Sequence, residues 1–301
     1  MEVSRREAFH APALRSTTTT DLTPTAIHDL GLSEVARIHA EMKSVISAMK
    51  FEGSLQDFFA FIRTDPENFC PDTKAGRCAY LTATKALIDA IRPRLYDYSN
   101  VRPKARLVVK RVEPIREKTT GIAFYQRPAV YSDRPGMYYV NLHDMRLMLR
   151  SHMEALGYHE AIPGHHMQIA LAQALENLPR FRTLGGYTAY TEGWALYAER
   201  LAKGMGMYGD PISDFGRLAW ELLRAARMVV GTGIHDKRWT RGEAIAYLDR
   251  NLPVNHETNR KAIDRHIVCP SQATAYTTGM GKILALRTRA MRLGHSPARQ
   301  H

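Results

Sequence analysis

The chain predicts a mainly α fold: a helical body, similar to that of a metallopeptidase, carrying one small sheet of about three strands. Apolar residues recur at helical spacing in both the first quarter and the second half of the chain. Between them, residues 105–141 hold three short β-branched or aromatic runs separated by Pro- and Gly-containing turns. No internal repeat is present. Residues 1–20 are polar and close on Thr17-Thr18-Thr19-Thr20, so they are expected to be disordered or extended. Residues 21–301 are expected to form a single helical domain. Thr23 followed by Pro24 marks a helix start, the threonine as cap and the proline at the first helical position. A second helix is expected over residues 33–49, where Val35, Ile38, Met42 and Ile46 form a stripe. Leu55–Ile62 and Ala75–Ile91 follow as helices. Ala105–Val112, Ile122–Tyr125 and Met137–Asn141 read as the strands, the last lying next to the helix that carries the histidine motif described below. Helical patterning then resumes over residues 147–158, 159–178, 187–203, 211–230, 240–250, 257–266 and 272–292.

Composition narrows the function classes. Hydrophobic residues make up 45% and charged residues 24% of 301 positions, as in an ordinary globular protein. No apolar run approaches the roughly 20 residues of a membrane span, and the first residues lack the apolar run of a signal peptide. A cytoplasmic protein with no membrane partner is the expectation. Cys70, Cys78 and Cys269 are too few and scattered for a disulfide framework or a thiolate zinc knuckle. Net charge is +12, but the arginines are dispersed with only mild clusters at 102–111 and 287–299. No nucleic-acid motif accompanies them, and no nucleic-acid partner is expected.

Chemistry concentrates in His159-Glu160-Ala161-Ile162-Pro163-Gly164-His165-His166, followed by Thr191-Glu192-Gly193-Trp194. Two imidazoles, a carboxylate and a spare glutamate beside the first histidine are the inventory of a catalytic zinc site. The spacing departs from His-Glu-x-x-His, because position i+4 from His159 is Pro163. In a straight helix, i+6 points about 120° away and i+7 lies roughly 10 Å along the axis. Pro163 cannot continue the helix, and Gly164 permits unusual backbone angles. A two-residue bulge brings His165 to the ligand position; a three-residue bulge brings His166, the alternative ligand. Glu192 is the expected third ligand, with Glu199 a less favoured substitute, and Glu160 the expected general base. His143 and His152 read as ordinary structural histidines.

Further site candidates are weaker. Tyr276 is a candidate to donate its hydroxyl to an oxyanion. Arg134, just before the strand at Met137–Asn141, is a candidate for pairing with a substrate carboxylate, the strand taking a peptide by edge addition. Tyr187 and Tyr190 are candidates to line a substrate cleft. Arg265 and His266 are the least favoured substrate binders.

The runs HEAIPGHHMQ, TEGWALYAE and CPSQATAYTTG, with TTTTDLTPTAIHDLGLSEVARIHAEM and RPGMYYVN, resemble the domain of unknown function 885 family over about residues 16–292. That family is a largely uncharacterised, mostly helical group regarded as zinc metallopeptidases in the style of the glutamate-zincins. The resemblance implies His159, one of His165 and His166, and Glu192 as ligands, with Glu160 as base. It also implies that this chain corresponds to a C-terminal portion of a longer architecture, because family members are about twice its length. The expectation is a zinc-dependent hydrolase holding one Zn2+ per chain and cleaving peptide bonds. The alternatives are a hydrolase of non-peptide amides or esters, or an inactive, truncated remnant. Its partner is a peptide or small amide substrate, with self-association through any surface the absent segments leave bare.

Overall fold

The computed structural model describes residues 2–176 and 178–294, with side chains from residue 9 onward. In chain order its elements are α1 (Glu2–Thr18), α2 (Pro24–Ala48), α3 (Leu55–Thr64), α4 (Lys74–Ile91), β1 (Leu107–Arg111), β2 (Ala123–Gln126), β3 (Gly136–Val140), α5 (Met153–Glu160), α6 (His165–Gln173), α7 (Arg180–Leu184), α8 (Thr188–Gly204), α9 (Pro211–His235), α10 (Arg241–Asn251), α11 (His256–Val268) and α12 (Ala275–Arg292). Helix accounts for 65% of the structure and strand for 6%. The mainly helical fold with one small sheet is therefore observed. No described helix is long and apolar enough to cross a membrane.

Packing divides the chain into two units. The first comprises Met1–Asp65, Tyr187–Gly193 and Leu218–Gly281; the second comprises Pro66–Gly186, Trp194–Arg217 and Lys282–His301.

In the first unit, residues 2–18 form a helix where an extended segment was expected. The helix has little amphipathic character of its own. It is held by tertiary contacts: Leu14 is buried against Ile27 and Met228, and the Thr17 hydroxyl meets that of Ser271 at 2.7 Å. Helix α2 starts where Thr23 and Pro24 indicate, the Thr23 side chain accepting from the Ala26 amide. It runs unbroken to Ala48, so the two helices expected here are one. Gly31 does not interrupt it. A Cβ at that position would meet Val229 at 2.8 Å, so the glycine admits α9 at close range. Arg37 of α2 pairs with Glu34, Glu41 and the buried Glu221 of α9. Helices α3 and α10 each begin with a capping box, Ser54 with Asp57 and Thr240 with Glu243.

In the second unit, the sheet has the order β1-β3-β2, with β3 parallel to β1 and antiparallel to β2. Strand β3 is central and both its edges are paired. It cannot take a substrate strand, and the edge addition expected at Met137–Asn141 is ruled out there. One face of the sheet carries Tyr139 and Phe124, stacked at 4.7 Å, with Lys110 and Arg116 over the rings. The other face carries Gly136, Tyr138 and Tyr125. Tyr138 is fully buried, and α4 and α5 pack alongside the strands.

Candidate metal centre

Helix α5 is buried over nearly its whole length and delivers His159 and Glu160 at its last turn. Chain direction then changes over residues 161–164, where the Ile162–Pro163 bond is cis. The His166 amide donates to the Ala161 carbonyl at 3.0 Å, closing the turn, and α6 begins at His165. The continuous motif helix expected over 159–178 is therefore two helices. Gly164 is required by contact: a Cβ there would lie 1.9 Å from the His159 carbonyl oxygen and 2.3 Å from that of Tyr158. Trp194 of α8 secures the turn by donating its Nε1–H to the Pro163 carbonyl at 2.8 Å.

The turn places His165 beside His159, the rings edge to face at 4.8 Å. One ligand atom from each of His159, His165 and Glu192 lies within 4.8 Å of the others. The two histidines are buried and Glu192 is half-buried. His159 is also oriented from behind. Its Nδ1–H donates to Oε1 of Glu199 at 2.7 Å, which directs the Nε2 lone pair away from that carboxylate. Glu199 is 2% exposed. A carboxylate behind a histidine in this way is a common support for a metal ligand, fixing its tautomer and raising its basicity. Glu199, in sequence a less favoured substitute ligand, takes this supporting position. The nitrogen and oxygen donors suit a zinc-like divalent cation in composition, number and support.

His166 points elsewhere. Its Nε2–H donates to the Ala105 carbonyl at 3.1 Å, and its Nδ1 accepts from the Tyr125 hydroxyl at 3.0 Å. Both ring nitrogens are thereby used, and burial lowers its pKa to about 4. His166, the alternative ligand, lies outside the cluster of His159, His165 and Glu192 and joins the helix to the sheet. Gly136 makes room for this pairing, since a Cβ there would meet Tyr125 Oη at 2.5 Å and His166 Nδ1 at 2.6 Å.

Glu192 and Tyr276 are brought together by two glycines. A Cβ on Gly193 would lie 2.5 Å from the Gly279 Cα, and one on Gly279 would lie 1.9 Å from the Ala189 carbonyl oxygen. Helices α8 and α12 thus cross backbone on backbone, next to Glu192 and one turn beyond Tyr276. Burial, then the Glu192 charge, raises the Tyr276 pKa, so its hydroxyl keeps its proton. Gln272 Nε2 approaches that hydroxyl at 3.3 Å.

The remaining candidates are more scattered. Arg134 donates from Nη1 to the Arg127 carbonyl at 3.0 Å and braces its own turn. Tyr187 and Tyr190 are exposed at the start of α8. His143 is exposed and stands 3.7 Å from Glu117.

The chain belongs to the DUF885 family, bacterial proteins of unknown function, whose profile matches residues 4–298. No curated protein matches it. Among solved structures it is similar to the "putative lipoprotein from Colwellia psychrerythraea" at 37% identity and a TM-score of 0.94, covering 97% of this chain and 51% of that one. A "putative lipoprotein of unknown function from Shewanella oneidensis" shares the fold at 20% identity and a TM-score of 0.77, covering 96% of this chain and 54% of that one. The chain spans about half the length of these solved relatives.

Proposed function

We propose that the chain carries the catalytic centre of a zinc-dependent hydrolase acting on peptide bonds. The observation that carries this reading is the juxtaposition of His159, His165 and Glu192, with Glu199 behind His159 and Glu160 adjacent in sequence. His159 and His165 would hold the ion through neutral imidazole nitrogens and Glu192 through its carboxylate. Zinc bound there supplies Lewis acidity, polarising the scissile carbonyl and making water nucleophilic near neutral pH. Glu160 takes a proton from the attacking water as the carbon–oxygen bond forms. It returns that proton to the leaving nitrogen as the carbon–nitrogen bond breaks. Tyr276, held protonated, donates a hydrogen bond to the developing oxyanion.

Elemental analysis of purified wild type and Glu192→Gln tests the ligand set, and a peptide-library digest with wild type and Glu160→Gln tests the chemistry. One zinc per wild-type chain, lost in Glu192→Gln, is expected, together with cleavage abolished by Glu160→Gln. A folded wild type without zinc overturns the reading. The same centre serves a cytosolic or an envelope enzyme. Fractionation of the native host separates the cytoplasmic expectation from the compartment that the relatives' lipoprotein names suggest.

A further inference from the structure

Helix α9 carries two arginines one turn apart, Arg224 buried and Arg227 half-buried. Arg224 is 6% exposed, and its Nε and Nη1 have no hydrogen-bond partner among the described residues. Nor do Arg227 Nε and His266 Nε2. The Arg224 guanidinium lies over the Trp220 ring at 4.5 Å and the Tyr276 ring at 4.9 Å. Those ring faces favour a cation but leave its in-plane N–H groups unsatisfied. An arginine does not escape burial by losing its proton, so buried guanidinium N–H groups left without acceptors call for an anion. Two carboxylates on α9 and α11 are engaged elsewhere, Glu221 with Arg37 and Asp264 with Arg241 and Arg260. Burial, followed by Arg227, Arg265 and His235, lowers the His266 pKa to about 3, so it adds hydrogen-bonding capacity without charge. Tyr276 connects this cluster to Glu192, since its ring lies under Arg224 and its hydroxyl feels the Glu192 charge.

We propose that Arg224 and Arg227 form a carboxylate-binding subsite beside Glu192 that takes the free α-carboxylate of a peptide, so that the hydrolase acts at C-terminal ends. Two guanidinium forks match a planar carboxylate through paired, charge-assisted hydrogen bonds. Assigning the carboxylate to a peptide rests on the hydrolase reading; the existence of the subsite does not.

Calorimetric titration of the full chain tests it without turnover, using N-acetyl-phenylalanine, its amide, and the α-amide of N-acetyl-glutamate. The free acid is expected to bind about 10- to 100-fold more tightly than its amide, the usual worth of a hydrogen bond to a charged group. Arg224→Gln and Arg227→Gln should each remove most of that preference and leave amide binding unchanged, with melting curves reporting the fold. Equal binding of acid and amide to wild type overturns the subsite, even if a variant fails to fold. Tighter binding of the glutamate α-amide than of the free acid overturns the C-terminal assignment. Zinc content measured on the same sample separates the two readings. Acid preference without zinc strikes down the hydrolase alone, and zinc without acid preference strikes down the subsite alone.

Discussion

Glu199→Gln isolates the support behind His159. Glutamine keeps the side-chain length and an acceptor oxygen, so the 2.7 Å contact with Nδ1–H can persist. Only the negative charge goes, and with it the extra basicity passed through the ring to Nε2. Loss of such a partner lowers metal affinity by about 10- to 100-fold, which is about 1.4 to 2.7 kcal/mol. Because Glu199 is buried against a histidine, removing its charge also removes the desolvation cost of a carboxylate, so the metal-free fold should not suffer. The assay is zinc competition against a chromophoric chelator at fixed pH, alongside thermal melts of the metal-free protein. Weaker zinc binding with an unchanged melt is expected. Wild-type affinity in a folded Glu199→Gln protein refutes the supporting role, and with it the orientation inferred for His159.

Three other outcomes follow from the geometry. His165→Gln should abolish stoichiometric zinc, whereas His166→Gln should retain it and lose about 1 to 3 kcal/mol of stability through the orphaned Tyr125 and Ala105 partners; elemental analysis with denaturant unfolding checks both. Gly164→Ala, whose Cβ would meet the His159 carbonyl oxygen at 1.9 Å, should abolish zinc binding even where a folded fraction survives, as seen by zinc content of the monomeric peak. Acid should destabilise the first unit. Burial holds His266 at about 3 and His10 at about 4, both below their ordinary 6.5, so the unfolded chain takes up protons first. Stability present above pH 6.5 is then lost as pH falls toward 4, by up to about 1.4 kcal/mol per pH unit for each histidine. Denaturant midpoints at pH 7 and pH 5 should diverge less in His266→Gln, and an equal divergence contradicts the assignment.

The parts of the site that were legible in the sequence are those fixed by local chemistry. Ligand types are few, and Pro163 with Gly164 signals that the helix must be interrupted between His159 and the next histidine. What the interruption could not decide is which histidine turns inward. Tyr125 and the Ala105 carbonyl act on that choice from 41 and 61 residues away, by occupying both nitrogens of His166. The same non-locality hid helix α1, whose stability lies in Leu14 meeting Met228 far along the chain. It also hid the central place of β3, because strand order is set by partners and not by the strand's own residues. Glu199 was visible as a carboxylate in phase with Glu192. Its partnership with His159 became apparent only once the two helices were placed.

The crossing of α8 and α12 at Gly193 and Gly279 bears on how such a centre can diverge. Most helix contacts are negotiated by side chains, and a change on one side is answered by a complementary change on the other. At these two positions the facing atoms are backbone, so a larger residue at either glycine has no side chain opposite it to shrink in compensation. Directed evolution for new substrates should find that variation accumulates around these two positions while reversion is the only cure for a change at them.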